Sequence, residues 1–498
     1  MVDFFAPADC HVDHADSFYI GGAWVRPGPG AHFDVVCPST EEVIARVPEA
    51  GPVEVERAVA AARDAFDNGP WPRMTPAERA GYLRKLAAEL RARAGQFALA
   101  ATLQMGAPTL FTPSAVETPA LILEENARLI EEMAFETIRP REDGVSIVVK
   151  EPVGTVLAIA PWNTPLMLAV VKVAMALASG STVVLKPAPE TPLDALLLAQ
   201  CAEAAGLPPG VLNVIQAGRE IGESLVRHPG IDKVAFTGST VAGQRIGAIC
   251  AERCARFSLE LGGKSAAIVL DDMNPADVLP SFIPAAMFLS GQACAGLTRL
   301  IVPRRRKAEF EEAAAVAIAG LPVGDPFDTG TFIGPVALER QRERIEGYIA
   351  KGKAEGARLV TGGGRPKGLN RGFYVEPTLF SDVDNAMTIA REEIFGPVLS
   401  LIVADDLDDA VRIANDSDFG LNGAVYTGDA DRAYAIMRRL RVGNVTQNGW
   451  VYDHRSPFGG FKQSGMGREG GPEGLEGYFE YKTIYMPHLP SHLASHQA

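Results

Sequence analysis

The sequence predicts an α/β protein whose helices cover both faces of parallel sheets. Between residues 145 and 262, short apolar runs alternate with longer helical patterns. Such runs are typical of parallel strands that are buried on both faces. A second region of the same kind extends from about residue 266 to residue 470, and the 498 residues of the chain are enough for two or three domains.

The N-terminal part of the chain is predicted to be helical. Val53 to Asp67 combines helical spacing with an alanine-rich composition, which favours a helix. The segment 75–78, Thr-Pro-Ala-Glu, is typical of a capping box with proline at the first helical position. We expect the helix that it opens to extend to about Gln104.

The two alternating regions predict most of the remaining elements. The predicted strands of the first region are 145–150, 156–160, 182–186, 212–216, 233–237 and 258–261, and its predicted helices are 166–178, 192–205, 221–227 and 241–253. The second region has predicted strands at 266–270, 299–302 and 398–403 and predicted helices at 307–319, 338–354 and 407–415. Ligands of such sheets bind at the carboxyl ends of the strands, which is where we expect the site.

Composition limits the possible partners. The formal net charge of −14 is spread along the chain, which argues against nucleic acid because phosphate binding needs a basic surface. Six scattered cysteines favour reduced thiols and a cytoplasmic location over a disulfide framework. The first ten residues lack the pattern of a signal peptide. Proline, asparagine and lysine residues interrupt the apolar stretch 155–179, so no membrane span is expected.

Two short segments carry the strongest chemical signal. Cys294 lies in 291–296, Gly-Gln-Ala-Cys-Ala-Gly, where its small neighbours leave the thiol open to a substrate. Glu260 lies 34 residues before Cys294, in 259–264, Leu-Glu-Leu-Gly-Gly-Lys, where its carboxylate can act as a base. In residues and spacing the chain resembles the aldehyde dehydrogenase superfamily, the NAD(P)-dependent, non-acylating enzymes that oxidise aldehydes to carboxylic acids.

The resemblance covers about residues 20 to 485 and implies both a reaction and an architecture. A Cys294 thiolate adds to the aldehyde, a nicotinamide removes the hydride, and a water activated by Glu260 hydrolyses the thioester. CoA-acylating relatives generally lack this glutamate. Family members are commonly homodimers or homotetramers. The implied parts are a Rossmann-like nucleotide-binding domain of residues 1–134 and 152–262, a catalytic domain of residues 263–477, and a small β oligomerisation domain of residues 135–151 and 478–498.

Two further residues match catalytic positions of the family. Asn163, in 161–165, Pro-Trp-Asn-Thr-Pro, resembles the side chain that forms an oxyanion hole with the backbone N–H of Cys294. The alternative for Asn163 is an Asx-type turn. Glu469 matches a glutamate proposed as a proton relay behind the base, and a structural ion pair is its alternative. The other five cysteines are interpreted as inert.

The resemblance distributes cofactor binding over several segments. Lys186 resembles the lysine that contacts the adenosine ribose, and Ser239, with the helix that follows it, is expected to face the pyrophosphate. Glu393 resembles the glutamate that holds the nicotinamide ribose, and Phe395 the aromatic side chain near the nicotinamide. The predicted cofactor residues are Trp162, Lys186, Gly218, Gly238, Ser239, Gly262, Glu393 and Phe395.

The sequence leaves the choice of dinucleotide open. Many NAD-preferring members have a glutamate three residues after the ribose lysine, whereas this chain has Pro189 there and Glu190 one position later. Arg219 is expected near the same pocket. We favour NAD⁺, with NADP⁺ or dual use as the alternative. No cluster of histidine, cysteine and acidic residues has the spacing of a metal site.

The substrate pocket is predicted by position alone. The aromatic residues of the set favour a small-to-medium, apolar or aromatic aldehyde. Thr164 and Val171, where relatives often carry larger aromatics, predict a roomier tunnel. Arg455 either binds the carboxylate of a semialdehyde or forms a structural ion pair, and a non-catalytic protein that retained the fold is the alternative from another class. The predicted pocket residues are Leu168, Trp450, Tyr452, Arg455 and Phe458.

Overall fold

The computed structural model describes residues 12–28 and 30–494, and it has the mixed α/β architecture that the sequence predicts. The N-terminal residues used to assess a signal peptide, Cys10 among them, lie outside the described residues. The strands are β1 Phe18–Ile20, β2 Ala23–Val25, β3 His32–Val36, β4 Val43–Pro48, β5 Glu136–Arg141, β6 Gly144–Pro152, β7 Thr155–Ile159, β8 Thr182–Lys186, β9 Leu212–Val214, β10 Lys233–Thr237, β11 Arg256–Glu260, β12 Ala266–Val269, β13 Arg299–Pro303, β14 Arg358–Thr361, β15 Thr378–Ser381, β16 Val398–Ala404, β17 Phe419–Gly420, β18 Gly423–Tyr426, β19 Thr446–Gln447, β20 Phe461–Lys462, β21 Gly465–Met466 and β22 Phe479–Met486.

The helices alternate with these strands through most of the chain. They are α1 Pro52–Asp67, α2 Pro76–Ala92, α3 Ala94–Met105, α4 Ser114–Glu132, α5 Pro165–Ser179, α6 Leu193–Ala204, α7 Arg219–Arg227, α8 Thr240–Glu252, α9 Pro275–Gly291, α10 Lys307–Ala319, α11 Glu339–Ala354, α12 Thr388–Arg391, α13 Leu407–Asn415, α14 Ala430–Met437, α15 Gly471–Glu476 and α16 Ser491–Ala494.

The first sheet contains eight strands in the order β2-β1-β9-β8-β7-β10-β11-β21. Its central strands β9, β8, β7, β10 and β11 are parallel. Alternate residues of these strands belong to two hydrophobic cores. One core is shared with α2 to α6 and the other with α1, α7 and α8, so both faces are covered, as expected for buried parallel strands.

The second sheet follows the same plan. Its seven strands have the order β14-β15-β16-β13-β12-β18-β19, and only β14 pairs with its neighbour in the antiparallel direction. Helices α11, α13 and α14 share a core with one face, and α9 and α10 share a core with the other. A segment of this second region also reaches the first sheet, because β21 pairs with β11.

A third, antiparallel sheet has the strand order β22-β6-β5. These strands lie within the two segments for which a separate small domain was expected. Tyr481, Ile484 and Tyr485 of β22 are exposed, with 68% of the Tyr485 surface accessible. This sheet therefore presents an apolar surface in the single chain.

The helix expected to extend from Thr75 to Gln104 is interrupted, so that part of the prediction is wrong. The capping box forms as predicted, with Glu78 N–H donating to Thr75 Oγ1 and Thr75 N–H donating to Glu78 Oε2. However, α2 ends at Ala92 and Arg93 has φ −109° and ψ 19°. Gly95 follows closely, and glycine is a weak helix former, so the chain changes direction before α3.

The apolar stretch 155–179 is divided between β7 and α5. Within the described part of the chain, no helix is long and apolar enough to cross a membrane. The expected strand 212–216 ends earlier, at Val214, and the expected strand 258–261 begins earlier, at Arg256.

Candidate active site

The carboxyl ends of four neighbouring parallel strands, β8, β7, β10 and β11, meet at one edge of the first sheet. Lys186 ends β8, Glu260 ends β11, and Asn163 follows β7. Ser239 follows β10 and caps α8, because its side chain accepts a hydrogen bond from Ala242 N–H. Residues far apart in the sequence are thus brought to one edge, as the parallel topology requires.

The cysteine lies on a loop with unusual backbone geometry. The end of α9 departs from helical conformation, with φ of 49° at Leu289 and 58° at Ser290. Gly291 has φ 74°, and a Cβ there would collide with the carbonyl of Gly396. A Cβ at Gly263 would likewise collide with the carbonyl of Cys294. Glycine at both positions lets the cysteine loop pack against its neighbours.

Cys294 is half-buried and unpaired. Burial raises the pKa of its thiol to about 12, and the negative charges of Glu393 and Glu260 add to the rise. At neutral pH the thiol is therefore protonated, and a nearby base is needed to form the nucleophilic thiolate.

Glu260 is buried beside a second carboxylate. Burial raises the pKa of Glu260 well above its usual value, and the charge of Glu469 raises it further, whereas Lys172 and Arg468 lower it. Neither carboxylate oxygen of Glu260 has a hydrogen-bond partner within the described chain. A Cβ added at Gly459 would lie 2.6 Å from Glu260 Oε1, so glycine at 459 leaves room for the carboxylate. A desolvated carboxylate with free oxygens is suited to remove a proton from water or a thiol.

Glu469 forms the ion pair that was one of its two expected alternatives. Its Oε1 lies 2.6 Å from Nζ of Lys172, and the same Nζ donates to Thr237 Oγ1. The backbone of Glu469 pairs in both directions with that of Phe458. Glu469 is therefore held in place next to Glu260.

Asn163 connects the strand edge to the cysteine loop. Its Nδ2 donates to the carbonyl of Gln292 over 2.8 Å, so its side-chain amide bonds across the site and not to its own turn. Asn163 lines two cavities, one that contains Cys294 and one that is largely apolar. The donor amide thus lies where the two cavities meet.

The cavity that contains Cys294 has a volume of about 190 Å³. The carboxylate of Glu393 accepts a hydrogen bond from Gly263 N–H at 3.0 Å, and a Cβ at Gly262 would collide with it. Burial raises the pKa of Glu393 to about 7. The rings of Trp162 and Phe395 meet edge to face, with centroids 5.2 Å apart. The predicted residues that line this cavity are Trp162, Asn163, Gly238, Ser239, Gly262, Cys294, Glu393 and Phe395.

Lys186 and Gly218 lie at a neighbouring part of the edge. Burial lowers the pKa of Lys186 to about 8, while the charges of Glu190 and Glu49 oppose that change. A Cβ at Gly218 would lie 2.6 Å from Glu49 Oε1, so Glu49 reaches the same place. Glu190 is engaged in an ion pair with Arg340.

The apolar cavity has a volume of about 290 Å³. Trp450 and Tyr452 line it, as does Thr164, where a larger aromatic residue would fill part of the space. Its other walls come from α3, from the start of α4 and from the end of α9, including Phe97, Ala101, Met105, Ala115, Thr118, Phe288 and Leu289.

Three residues predicted for the substrate pocket do not line this cavity. Leu168 packs against the first hydrophobic core instead. Phe458 contacts the ring of Tyr452 at 5.9 Å and pairs with the backbone of Glu469. Arg455 is 67% exposed, and its Nε donates to Asp453 Oδ1 at 3.0 Å. The structural ion pair, and not a cation inside the cavity, is therefore what the structure contains for Arg455.

Sequence reasoning missed two buried groups near the site. Lys172 was interpreted only as an interruption of an apolar stretch, although an isolated charge within a buried helix indicates a buried partner. Asp194 lies in the wall of the apolar cavity, and its position after a threonine-proline pair looked like an ordinary helix start.

Comparison with known proteins agrees with this arrangement. The model of the aldehyde dehydrogenase family matches residues 24–484. Geranial dehydrogenase from Castellaniella defragrans is 44% identical, over 95% of this chain and 99% of that protein. An aldehyde dehydrogenase from Mycobacterium tuberculosis, solved in complex with NAD⁺, is 45% identical with a TM-score of 0.93, over 95% of this chain and 98% of that one.

A second solved structure contains an aldehyde. A mutant of aldehyde dehydrogenase C from Pseudomonas syringae, in complex with NAD⁺ and octanal, is 42% identical with a TM-score of 0.92, over 95% of this chain and 98% of that one. Family match, identity and fold agree over almost the whole length. The chain belongs to the aldehyde dehydrogenase family, whose members oxidise aldehydes with a nicotinamide dinucleotide.

Proposed function

We propose that this enzyme oxidises apolar aldehydes to carboxylic acids with NAD⁺, with Cys294 as the nucleophile and Glu260 as the base. The observation that carries the proposal is the placement of Asn163, which lines both the Cys294 cavity and the apolar cavity. An aldehyde whose chain occupies the apolar cavity would present its carbonyl at that junction. The proposed mechanism depends on this placement of Asn163.

The proposed reaction begins with loss of the Cys294 proton to Glu260, whose charge acts on the thiol and whose carboxylate oxygens have no hydrogen-bond partner within the described chain. The sulfur adds to the carbonyl carbon, and the oxygen that becomes negative accepts hydrogen bonds from the Asn163 amide and the Cys294 N–H. One such donor is typically worth about 2.7–4 kcal/mol in the transition state. A dinucleotide held at this site would supply the hydride acceptor that oxidation to the thioester requires. Glu260 releases the first proton to solvent and then takes a proton from water, whose oxygen displaces the Cys294 sulfur and releases the acid.

The residues present fit a nicotinamide dinucleotide. Gly262 has no room for a side chain because the carboxylate of Glu393 lies beside it. The cavity wall there is therefore bare backbone next to a carboxylate that is held in a fixed position. Ser239 and the N-terminus of α8 would hold phosphate groups. Lys186 and Gly218 would hold the more distant ribose, and Glu393 the ribose nearer to Cys294. Trp162 and Phe395 complete the wall.

A preference for NAD⁺ over NADP⁺ is supported by charge. Pro189 supplies no carboxylate, and Glu190 is engaged with Arg340. Glu49 provides a carboxylate beside Gly218 and Lys186 from a different part of the chain. A 2′-phosphate near Glu49 would be repelled, since two like charges at short distance in a partly buried site interact by several kcal/mol. Both solved structures compared above contain NAD⁺.

An apolar substrate is supported by the cavity and by the relatives. The walls of the 290 Å³ cavity are mainly aromatic and aliphatic. One relative is named for geranial, and one similar structure contains octanal. One relative, 40% identical, is named for a semialdehyde, but Arg455 faces solvent in an ion pair, so this chain offers no cation from Arg455 to a substrate carboxylate in the cavity.

The proposal also covers the assembly of subunits, the division of the chain into domains and the cellular location. We propose that β5, β6 and β22 form a contact between subunits of a homodimer or homotetramer, supported by the exposed Tyr481 and Tyr485. We also propose that the chain is divided into two domains, each built around one of the large sheets, and this small sheet, with the bounds expected from the sequence. A cytoplasmic location is supported by the need for a reduced Cys294 thiol. Multi-angle light scattering of the wild type and of Tyr485→Glu tests the contact, because a charge there should dissociate the assembly.

The test of the reaction is NADH and NADPH formation by purified protein across aliphatic, aromatic and ω-carboxylated aldehydes. We expect turnover of apolar aldehydes with NAD⁺, and its loss in Cys294→Ala. Asp382→Asn, at the end of β15 and away from both cavities, serves as the control that should retain activity. Turnover confined to ω-carboxylated aldehydes would contradict the proposed substrate, and turnover in Cys294→Ala would contradict the mechanism.

A further inference from the structure

The apolar cavity has a charged residue in its wall. Asp194 is the second residue of α6 and is 2% exposed. The same cavity is bounded by Asn163 on the side of the reacting centre. A buried carboxyl group and the carbonyl-binding amide therefore border one continuous space.

A neighbouring glutamine fixes the Asp194 side chain. Gln104 Nε2 donates to Asp194 Oδ2 at 2.9 Å, and Gln104 Oε1 accepts from Leu193 N–H at 3.0 Å. Both ends of this amide are thus engaged, which orients the carboxyl group. The other carboxyl oxygen, Asp194 Oδ1, is buried and has no hydrogen-bond partner among the residues that the structure describes.

A structural role explains only part of this arrangement. An acidic residue in the first turn of a helix interacts favourably with the helix dipole, but such residues are normally exposed and solvated. Here burial raises the pKa of Asp194 to about 7. A buried polar atom without a partner is costly and rare, and such groups are concentrated where a ligand completes their hydrogen bonds.

The cavity that Asn163 and Asp194 both line suits a hydrocarbon chain. Its aromatic walls are Phe97, Phe111, Phe288, Trp450 and Tyr452. A substrate that places its aldehyde at Asn163 would extend its chain along these rings. The far end of such a chain is the group that can reach Asp194.

We propose that Asp194 Oδ1 accepts a hydrogen bond from the distal end of the substrate, so that the enzyme prefers apolar aldehydes that carry a hydroxyl or another hydrogen-bond donor at that end. The inference rests on the proposed function, since it takes the cavity to be the substrate site. A site built to hydrogen-bond a substrate group discriminates strongly against the analogue that lacks the group. An ω-ammonium group offers the same donor chemistry and would also be attracted by the aromatic rings.

The test compares straight-chain alkanals with their ω-hydroxy and ω-amino counterparts of equal length. The variant is Asp194→Asn, in which the amide oxygen stays with Gln104 Nε2 and the NH₂ group replaces the free acceptor. We expect the wild type to favour the donor-bearing aldehyde in kcat/KM. Asp194→Asn should lower the preference for the ω-amino aldehyde about tenfold or more, as expected for loss of a hydrogen bond to a charged group, because an ω-ammonium group only donates whereas an ω-hydroxyl group can also accept from the new NH₂ group. The ω-hydroxy and ω-amino arms identify which donor the site accepts.

Asp382→Asn is the matched control, because it removes a carboxylate outside the cavity and should leave the preference unchanged. Should Asp194→Asn fail to fold, the wild-type comparison decides, since equal kcat/KM for alkanals and both donor-bearing series would overturn the inference. A preference of the wild type for the ω-amino aldehyde that persists unchanged in folded Asp194→Asn would overturn it as well. In both cases Cys294-dependent turnover of alkanals would continue, whereas failure of the proposed function would appear as turnover confined to ω-carboxylated aldehydes or as turnover that persists in Cys294→Ala.

Discussion

Lys172 and Glu469 form an ion pair in the interior of the protein, with 2.6 Å between Nζ and Oε1. The side chains are 0% and 3% exposed, respectively. Glu260 lies within reach of both charges, since Glu469 raises the pKa of Glu260 and Lys172 lowers it. The pair therefore adjusts the basicity of the proposed catalytic carboxylate, whether or not Glu469 also transfers a proton.

Replacing Lys172 and replacing Glu469 should shift the pH profile of kcat in opposite directions. Lys172→Met removes the charge that lowers the pKa of Glu260, so the pKa rises and the acid limb moves to higher pH. Glu469→Gln removes the charge that raises this pKa, so the acid limb moves to lower pH. Steady-state kinetics across the pH range measure both. Shifts in the same direction would contradict this electrostatic role.

The reactivity of Cys294 should depend on pH over an unusually wide range. Because its pKa is raised to about 12, the rate of alkylation by iodoacetamide in the dinucleotide-free enzyme should rise about tenfold per pH unit, past the value near 8.5 where an ordinary thiol levels off. Peptide mass spectrometry measures the rate at Cys294. Glu260→Gln removes a charge that raises the pKa and should accelerate the reaction at fixed pH. A plateau near that of a free thiol would disprove the prediction.

Glu49 should control the choice of dinucleotide. Glu49→Gln removes the carboxylate beside Gly218 and Lys186, and we expect it to raise the affinity for NADP⁺ about tenfold with much less effect on NAD⁺. Isothermal titration calorimetry measures both affinities without turnover. Glu190→Gln is the comparison, and its effect should be smaller because Arg340 already neutralises Glu190. Unchanged NADP⁺ affinity in Glu49→Gln would exclude this role.

Arg299 should be a major determinant of stability in the second sheet. Its guanidinium donates to the carbonyls of Lys264, Ile413 and Ala414 and to Asn385 Oδ1, at 2.9–3.0 Å. Arg299→Met leaves these buried acceptors without donors and should destabilise the protein by about 3 kcal/mol or more.

The matched control for Arg299→Met is Arg304→Met, which breaks an exposed ion pair with Asp405 and should cost less than about 1 kcal/mol. Urea unfolding followed by fluorescence distinguishes the two variants. Equal midpoints for both would show that the buried contacts contribute little.

The parallel sheets and their order along the chain could be predicted because local patterns carry the information. The predicted bounds of β8 and β10 agree with the structure, since each is a short apolar run followed by a turn signal. The break at Arg93 could not be predicted in the same way. The helical pattern continues through it, and α3 packs against α4 and α6, which are distant in sequence.

The candidate site likewise contains residues that local patterns predict and residues that they do not. Cys294, Glu260 and Asn163 could be selected from short motifs, and the fold brings the loop that carries Cys294 to the strand ends that carry Glu260 and Asn163. The partners that adjust them could not, because Lys172 and Glu469 are 297 residues apart and no local pattern joins them. Leu168 and Arg455 are assigned to the substrate pocket by position alone, whereas Leu168 packs against the first hydrophobic core and Arg455 forms an exposed ion pair. Glu49 and Asp194 reach their sites only through tertiary packing.

The most direct test of the central claim is a covalent trap. In Glu260→Gln, deacylation lacks its base, and at about pH 9 or above more of the Cys294 thiol ionises without help, so mixing there with NAD⁺ and an apolar aldehyde should release a burst of about one NADH per subunit and leave an acyl group on the enzyme. Mass spectrometry of the digested protein should find that acyl group on the peptide containing Cys294, and Cys294→Ala should form neither product. NADH formation in Cys294→Ala, or an acyl group on another residue, would contradict a mechanism through the Cys294 thioester.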